Sequence, residues 1–453
     1  MPRTEAGARR GGPRVPRATV LHALAAGADF DRYFHWRRAR EGDPFYVRFP
    51  GFGAVLFTGT AVGASELFRL PVDGSEPPRP NPIEPMVGAA SMILASGERH
   101  RRDRALLTPA LHSARVREHG ELIQEATERE LAGESGQRWA TGARIDARAA
   151  ARALTLRVIA TVVSGARDPR RQAEYTAAMR DFLTAFSGPL LLVPALRRGL
   201  HGHGPWDRFR AARERLDRLI RADIAHRRAH PAASPADLLD LLLSVYPDDD
   251  ELCEQIRTLL VAGHETTATT LVWALFRLHR APEALGRLRR ELRDASRDAG
   301  PAELAALPYL DAVCQETLRL HPPVPIVLRR LTEPFTLRGV GLAPGDTVGI
   351  AVPLLHSDPE VWTDPGRFDP GRFVERRYRP FEFAPFGGGH RRCVGAALAD
   401  YELRIALATI LARVRLRLTP RYARGPVPLS VPHNIASGPH RPISFDVISE
   451  LRH

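Results

Sequence analysis

The amino-acid sequence predicts a mainly α protein with a minor β portion, and two observations carry that expectation. Helical periodicity runs almost unbroken from Gly97 to about Asp294, with apolar residues recurring at helical spacing. After Pro323 the pattern changes to short apolar runs, VPIVLRR, FTLRG and DTVGIAVPLL, separated by Gly and Pro turns. Such runs read as a small sheet.

The elements follow in order. Residues 1–17 are polar and rich in Gly, Pro and Arg, which predicts a disordered leader ahead of one domain spanning 18–453. PFYVRFPG and AVLFTGT, within residues 44–60, predict strands, because aromatic and β-branched residues lie between glycines. A Pro-rich, poorly periodic loop is expected from Leu70 to about Ala95. DARAAARALTLRVIATVVSG and RFRAARERLDRLIRADIAHRRAH predict helices, the second amphipathic; between them FLTAFSGPLLLVPALRRGL is apolar but broken by Gly188 and Pro194. A long apolar helix is expected at about Asp249 to Arg280, then another stopped by the paired prolines of ETLRLHPP. A meander rich in Pro, Gly and Phe, 357–385, leads to FAPFGGGHRRCVGAALA and a final helix.

Charge and cysteine content exclude several function classes. The formal net charge of +13 would suit a nucleic-acid partner, but all 65 basic residues are Arg, dispersed through acidic helical stretches rather than gathered in a tail. That distribution predicts no nucleic-acid role. Three cysteines without a CxxC exclude a simple disulfide framework and fit a reducing, cytoplasmic setting. No run of about 18 apolar residues predicts a membrane anchor.

Four constellations carry chemistry. In LLVAGHETTATTLVWALF, Leu259–Phe276, the small residues Ala262 and Gly263 precede Glu265 and Thr266. The Thr266 hydroxyl lies four residues after Ala262 and competes for its carbonyl, which is expected to open the helix locally into a groove beside the small residues, and an acid beside an alcohol is a proton relay. A tolerated polar patch on a long helix would look the same. Glu316 and Arg319 face each other on one turn, with Arg372 of FDPGRF as the candidate third partner anchoring an irregular loop. His100 and Arg104, four apart in GERHRRDRALLTPALH, suit two carboxylates of a ligand or an ordinary basic face; Arg329 is uninformative alone. Cys393 follows three glycines, His390 and two arginines. Zinc needs more ligands, an iron–sulfur cluster about four cysteines, and a Cys–His nucleophile an orienting residue that is not evident. A thiolate ligand of heme iron suits the glycines, nearby amides and following helix, although a buried structural cysteine remains open.

Together and in this order these segments resemble the cytochrome P450 superfamily over about residues 40–445. Phe386, Gly389, Arg391, Cys393 and Gly395 occupy every fixed position of FxxGxRxCxG; AGHETT is similar to the distal-helix motif and Glu316–Arg319 to ExxR. The resemblance implies the cytochrome P450 fold, a large helical domain around a buried heme with a small β-rich N-terminal region, and a soluble, bacterial-type heme-thiolate monooxygenase. It implies heme b with Cys393 as the metal ligand, Phe386, Ala262 and Gly395 against the cofactor, and His100, Arg104, Arg329 and Arg391 at the propionates. Glu265 and Thr266 would deliver protons, and Glu316, Arg319 and Arg372 would form the structural triad. Gly371 and Ser357 depart from the usual meander residues, glutamate and arginine, which puts meander packing in question, and His264 occupies a variable position.

The resemblance also implies partners: a ferredoxin and its reductase as electron donors, docking near Arg392, Arg101 and Arg102, and a lipophilic small molecule, with no membrane anchor and a monomeric state. Met92, Ile93, Phe186, Leu259, Gly263 and Ile326 match the pocket walls. Oxygen insertion by hydroxylation or epoxidation is the expected reaction; a peroxide-driven peroxygenase and a non-catalytic heme-binding protein are the alternatives.

Overall fold

The computed structural model describes residues 19–49, 53–166, 168–186, 202–231, 237–295 and 299–451, together with 13, 15, 190 and 196–199. The expected leader lies almost wholly outside the described residues, as do Gly188 and Pro194.

The helices of eight or more residues are α1 (Thr19–Ala28), α2 (Phe30–Glu41), α3 (Ala61–Phe68), α4 (Gly97–Ala110), α5 (Gly120–Leu131) and α6 (Ala147–Ser164). They continue with α7 (Pro169–Ala185), α8 (Pro205–Ala229), α9 (Asp249–Arg280), α10 (Pro282–Asp294), α11 (Pro308–Leu320) and α12 (Ala396–Arg413). The helix α9 has the expected bounds. Asp248 caps it by accepting from the amides of Asp250 and Glu251, three acids occupy its first turn and Arg277 and Arg280 its last, all favourable to its dipole. It and α6 are buried around nearly their whole circumference, and they pack together at the centre of the main core.

The strands are β1 (Phe45–Phe49), β2 (Gly53–Thr58), β3 (Ser75–Glu76), β4 (Arg144–Asp146), β5 (Ile326–Leu331) and β6 (Phe335–Leu337). After them come β7 (Val340–Leu342), β8 (Thr347–Ala351), β9 (Val414–Leu418), β10 (Ser430–Pro432), β11 (Ser437–Pro439) and β12 (Ser444–Glu450). One sheet runs β1-β2-β8-β5-β3 and a second β4-β12-β9, with β6-β7 and β10-β11 as hairpins. Three findings differ from the sequence expectation. The loop from Leu70 to Ala95 contains β3 and a helical turn at Glu84–Val87; β4 interrupts the helical run; and α12 is followed by strands rather than ending the fold. Both β3 and β4 are two or three residues long and pair with partners hundreds of residues away, so no local pattern announces them.

The meander is held by a buried ion pair. Glu316 and Arg319 on α11 are 0% and 1% exposed and joined by two hydrogen bonds of 2.7 and 2.8 Å. The rest of the Arg319 fork donates to the carbonyls of His356, Pro365 and Arg367, and its plane lies over Trp362. Glu316 also accepts from the Asp369 amide at 2.8 Å and from Arg372 at 3.3 Å. At the two departures, Ser357 bonds His35 and the Gly371 amide bonds Asp369, so neither position is left without a local anchor. His356 extends the chain of contacts: its Nδ1 faces the Arg319 carbonyl and its Nε2 accepts from the Ala384 amide at 3.0 Å, at the threshold of the cysteine loop.

Two predictions follow from these burials. Glu316→Ala leaves the Arg319 charge buried and uncompensated, so it is expected to cost about 3–5 kcal/mol in urea unfolding. Arg319→Lys should be costly as well although it keeps the charge, because a lysine cannot fork to both carboxylate oxygens and three carbonyls. Burial also pulls His279 to about 4 and His356 to about 3, from an ordinary 6.5. The unfolded chain therefore binds protons that the folded chain refuses. Their contribution is complete above pH 6.5 and is lost as pH falls toward 4 and then 3, which acid titration of the unfolding midpoint will read.

Candidate active site

The cysteine loop is built by close approach. Gly387 and Gly389 have φ of +66° and +64°, a region that favours glycine. A Cβ on Gly388 would strike the Phe68 ring at 2.5 Å, and one on Gly389 the Phe68 carbonyl oxygen at 2.3 Å. These two glycines thus seat the loop against the end of α3. The chain then turns back, with the Cys393 amide donating to the Phe386 carbonyl at 2.9 Å, and enters α12. Cys393 is exposed, yet protein crowds it closely enough that burial pushes its thiol up, opposed by the Gly395 amide, Arg392 and Arg104. A thiol that is both accessible and surrounded lines an internal recess. A Cβ on Gly395 would meet nothing within 4 Å, so space lies beside the sulfur.

Basic groups converge next to this recess. His100 and Arg104 come from α4, Arg329 from β5, and His390 and Arg391 from the loop. Burial and mutual repulsion lower His100 and His390 to about 4, Arg329 to about 9 and Arg391 to about 10. The acid that bears on Arg391, Glu76, is already paired with Arg330. His100 Nδ1, His390 Nε2 and Arg391 Nε are buried without a hydrogen-bond partner. Arg104 and Arg391 are aimed by bonds to the carbonyls of Arg392 and Ala95. A cleft of about 490 Å³ opens here, lined by His100, Arg104, Thr108 and His390 among others. Clustered cations with unfilled donors suit a ligand carrying two carboxylates, which heme does. The residues present therefore fit the cofactor that the resemblance implies.

On α9 an accessible strip marks another wall. Ala262, Gly263 and Thr266 are partly exposed within a helix otherwise buried from Gln255 to Phe276. The Thr266 hydroxyl donates to the Ala262 carbonyl at 2.8 Å, as its spacing predicts, and α9 stays α-helical through this turn. Glu265 is turned away onto α6, 1% exposed. Arg152 donates to its two oxygens at 2.8 and 2.6 Å, and Arg148 to one at 3.3 Å. Burial raises the carboxyl, but the arginines outweigh it and hold it below the usual carboxylate range. His264 is packed, not aimed at the cavity: its Nδ1 meets Thr155 at 2.8 Å, and burial lowers it to about 4.

The expected pocket residues divide. Met92 and Ile93 are partly exposed and Leu259 is 9% exposed. Phe186 is fully buried, its ring 4.7 Å from that of Phe209, inside the helical core rather than on a free wall. Gly263 contributes only main chain, since a Cβ there would lie 2.6 Å from Ile159 on α6. Ile326 packs with Leu328 against the cluster of Phe34 and Phe57. Strand alternation instead turns Val327 toward the cysteine loop, its Cγ2 3.9 Å from where a Gly387 side chain would begin, on the face that also bears Arg329. The expected basic surface is also altered: Arg101 pairs with Asp73 and Glu98, and Arg102 with Asp103 and Glu251.

Sequence reasoning passed over Arg148, Arg152 and the placement of His390. A signal existed for the first two, since arginines four apart on the otherwise apolar α6 share a face that needs an acid. His390 had none, because its neighbours arrive from α4 and β5.

The comparisons agree with this geometry. A family model described as Cytochrome P450 matches residues 10–433. A chain assigned as cytochrome P450 135B1 in Mycobacterium bovis is 35% identical over 388 residues, 84% of this chain and 80% of its own length. One assigned as cytochrome P450 138 in Mycobacterium tuberculosis is 32% identical over 388 residues, 84% of each. Two solved structures share the fold. The retinoic acid-bound cyanobacterial CYP120A1 has a TM-score of 0.82 at 24% identity, covering 95% of this chain and 96% of that one. The heme domain of cytochrome P450DA has a TM-score of 0.82 at 21% identity, covering 97% of each. With its fold, cysteine recess and cationic cluster matching in one chain, this protein belongs to the cytochrome P450 family of heme-binding monooxygenases.

Proposed function

We propose that the protein inserts one oxygen atom from dioxygen into a lipophilic small molecule, by hydroxylation or epoxidation, with electrons from a separate ferredoxin and reductase. The observation that carries this reading is the pairing of the accessible, surrounded Cys393 with a distal helix that keeps Glu265 and Thr266 side by side. When bound, heme b held by a thiolate supplies the iron that takes up dioxygen and the electron donation that favours O–O cleavage. Cys393 would be its ligand, the sulfur anion favoured by the Gly395 amide, Arg392 and Arg104 and by the start of α12. His100, Arg104, Arg329 and Arg391 would take the propionates; His390, whose Nδ1 faces the Leu70 carbonyl, would donate from Nε2 only once a neighbouring carboxylate has protonated it. Phe386 and Ala262 would flank the macrocycle.

Proton supply falls to Glu265 and Thr266. Thr266 donates to Ala262, which leaves its oxygen lone pairs toward the accessible strip. Glu265 rests as an anion on Arg148 and Arg152, 1% exposed, and would leave these arginines to take up a proton. Rotation of Glu265 toward Thr266 then hands it inward. The partly exposed Met92, Ile93 and Val327 make an apolar wall, which supports a lipophilic substrate. We read the protein as a cytoplasmic, monomeric enzyme of one domain. No described helix by itself is long and apolar enough to cross a membrane.

The deciding measurement is the spectrum of the reduced protein with carbon monoxide. A strongly red-shifted Soret band is expected, and Cys393→Ala should abolish it; persistence in the variant sinks the assignment of the ligand. Once a spin-shift screen of terpenoids, fatty acids and steroids has found a substrate, Glu265→Gln is expected to lower ferredoxin-supported turnover by about 10²-fold. Turnover driven by hydrogen peroxide should be unchanged in Glu265→Gln and Thr266→Ala, because that oxidant does not draw on the relay. Peroxide turnover in a parent protein inert with ferredoxin and reductase would favour a peroxygenase.

A further inference from the structure

The segment 84–93 carries Met92 and Ile93, yet after its helical turn at Glu84–Val87 it belongs to no sheet. Its main chain is held by one face of α9. Gln255 accepts from the Met92 amide at 3.1 Å and donates to the Ala90 carbonyl at 2.8 Å. Glu254 accepts from the Ala90 amide at 2.7 Å. The Thr258 hydroxyl lies 2.7 Å from the Glu254 carbonyl of its own helix, its nearest acceptor, and accepts from the Ser91 hydroxyl at 2.9 Å, with the Val87 carbonyl further off at 3.3 Å. Gly88, at a φ of +92°, lies so near α9 that a Cβ there would come within 2.2 Å of the Glu254 carboxylate oxygen Oε2.

Arg257 completes this face and is out of place there. It is 2% exposed, and the Glu254 carboxylate lies 3.6 Å from one of its terminal nitrogens. Its Nε donates to the Met86 carbonyl at 2.8 Å, one terminal nitrogen reaches the Val87 carbonyl at 3.4 Å, and the other binds Asp217 of α8, itself 4% exposed. A buried ion pair adds little net stability over apolar residues of the same volume. What a planar, forked cation does supply is geometry, because its donors point in fixed directions. Here they join α8, α9 and segment 84–93 at one group. We infer that Arg257, held by Asp217, is the positioning residue that keeps segment 84–93 closed on α9 and so sets the aperture of the pocket wall bearing Met92 and Ile93. This rests on reading those two residues as pocket wall, as the proposed function does.

The test uses the full-length, heme-loaded protein. Arg257→Met with Asp217→Leu removes both charges together, so neither partner is left unpaired, and Asp217→Asn keeps an acceptor but not the charge. In both, amides of residues 86–93 are expected to exchange with deuterium about tenfold faster than in the parent, while those of α12 do not change. Association of a phenyl-substituted imidazole with the ferric heme, followed by its Soret shift, should accelerate by a similar factor, with imidazole itself unaffected because it needs no wider aperture. Arg257→Lys is expected to restore part of both effects. Parent-like exchange over 86–93 and parent-like phenylimidazole rates in the folded variants overturn the inference. If the double variant does not fold, Asp217→Asn decides alone. A parent without the carbon monoxide band overturns the heme reading instead, and exchange over 86–93 still decides whether Arg257 closes the segment.

Discussion

The buried pair of Glu316 and Arg319 is the interaction on which the cysteine side of this molecule depends. The segment from His356 to Phe386 has almost no regular ladder of hydrogen bonds of its own, so its main-chain groups need partners from elsewhere. One guanidinium supplies three of its carbonyls, and one carboxylate takes the Asp369 amide and Arg372. His356 carries that order on to Ala384, and the left-handed glycines carry it to Cys393. Two opposite charges placed at the centre of a non-repetitive segment do what a strand pairing does elsewhere.

The two ends of the site treat charge in opposite ways. At the proximal edge, cations from α4, β5 and the loop are crowded without a resident acid, and their donors are unfilled; such a cluster is tolerable only with an anionic ligand. On the distal side the acid Glu265 has arginines already in place. The proximal cluster is arranged to accept negative charge, and the distal arginines to hold a carboxylate buried as an anion. The polar face of α9 from Glu254 to Thr258 extends this logic outward, using side chains to hold an irregular segment of pocket wall.

Local pattern carried far in this chain. The bounds of α9 were legible because Asp248 caps it, acids begin it and Arg280 precedes Pro282. The Thr266–Ala262 contact was legible from a spacing of four, and the tether to Arg372 from two charges on one turn. Legibility stopped where a side chain's direction depends on a distant partner. Ile326 and Val327 differ by one position, and only the pairing of β5 with β8 decides which faces the loop. Phe186 looked like pocket wall in an apolar run, but α8 brings Phe209 against it. Arg101 and Arg102 looked like free surface, but Asp73 pairs with the first and Glu251 of α9 with the second.

The sequence by itself determined the family and the ion-pair tether, and it supplied the cysteine, acid and alcohol on which the proposed chemistry rests, because each of these readings needs particular side chains at short, fixed spacings. Tertiary structure alone decided which residues meet across the chain. It gathered five basic groups from three elements, turned Glu265 onto α6, aimed Val327 rather than Ile326 at the loop, and placed Asp217 against Arg257. Those choices come from packing and strand register, which act between separate segments of the chain and leave no periodic trace in either one.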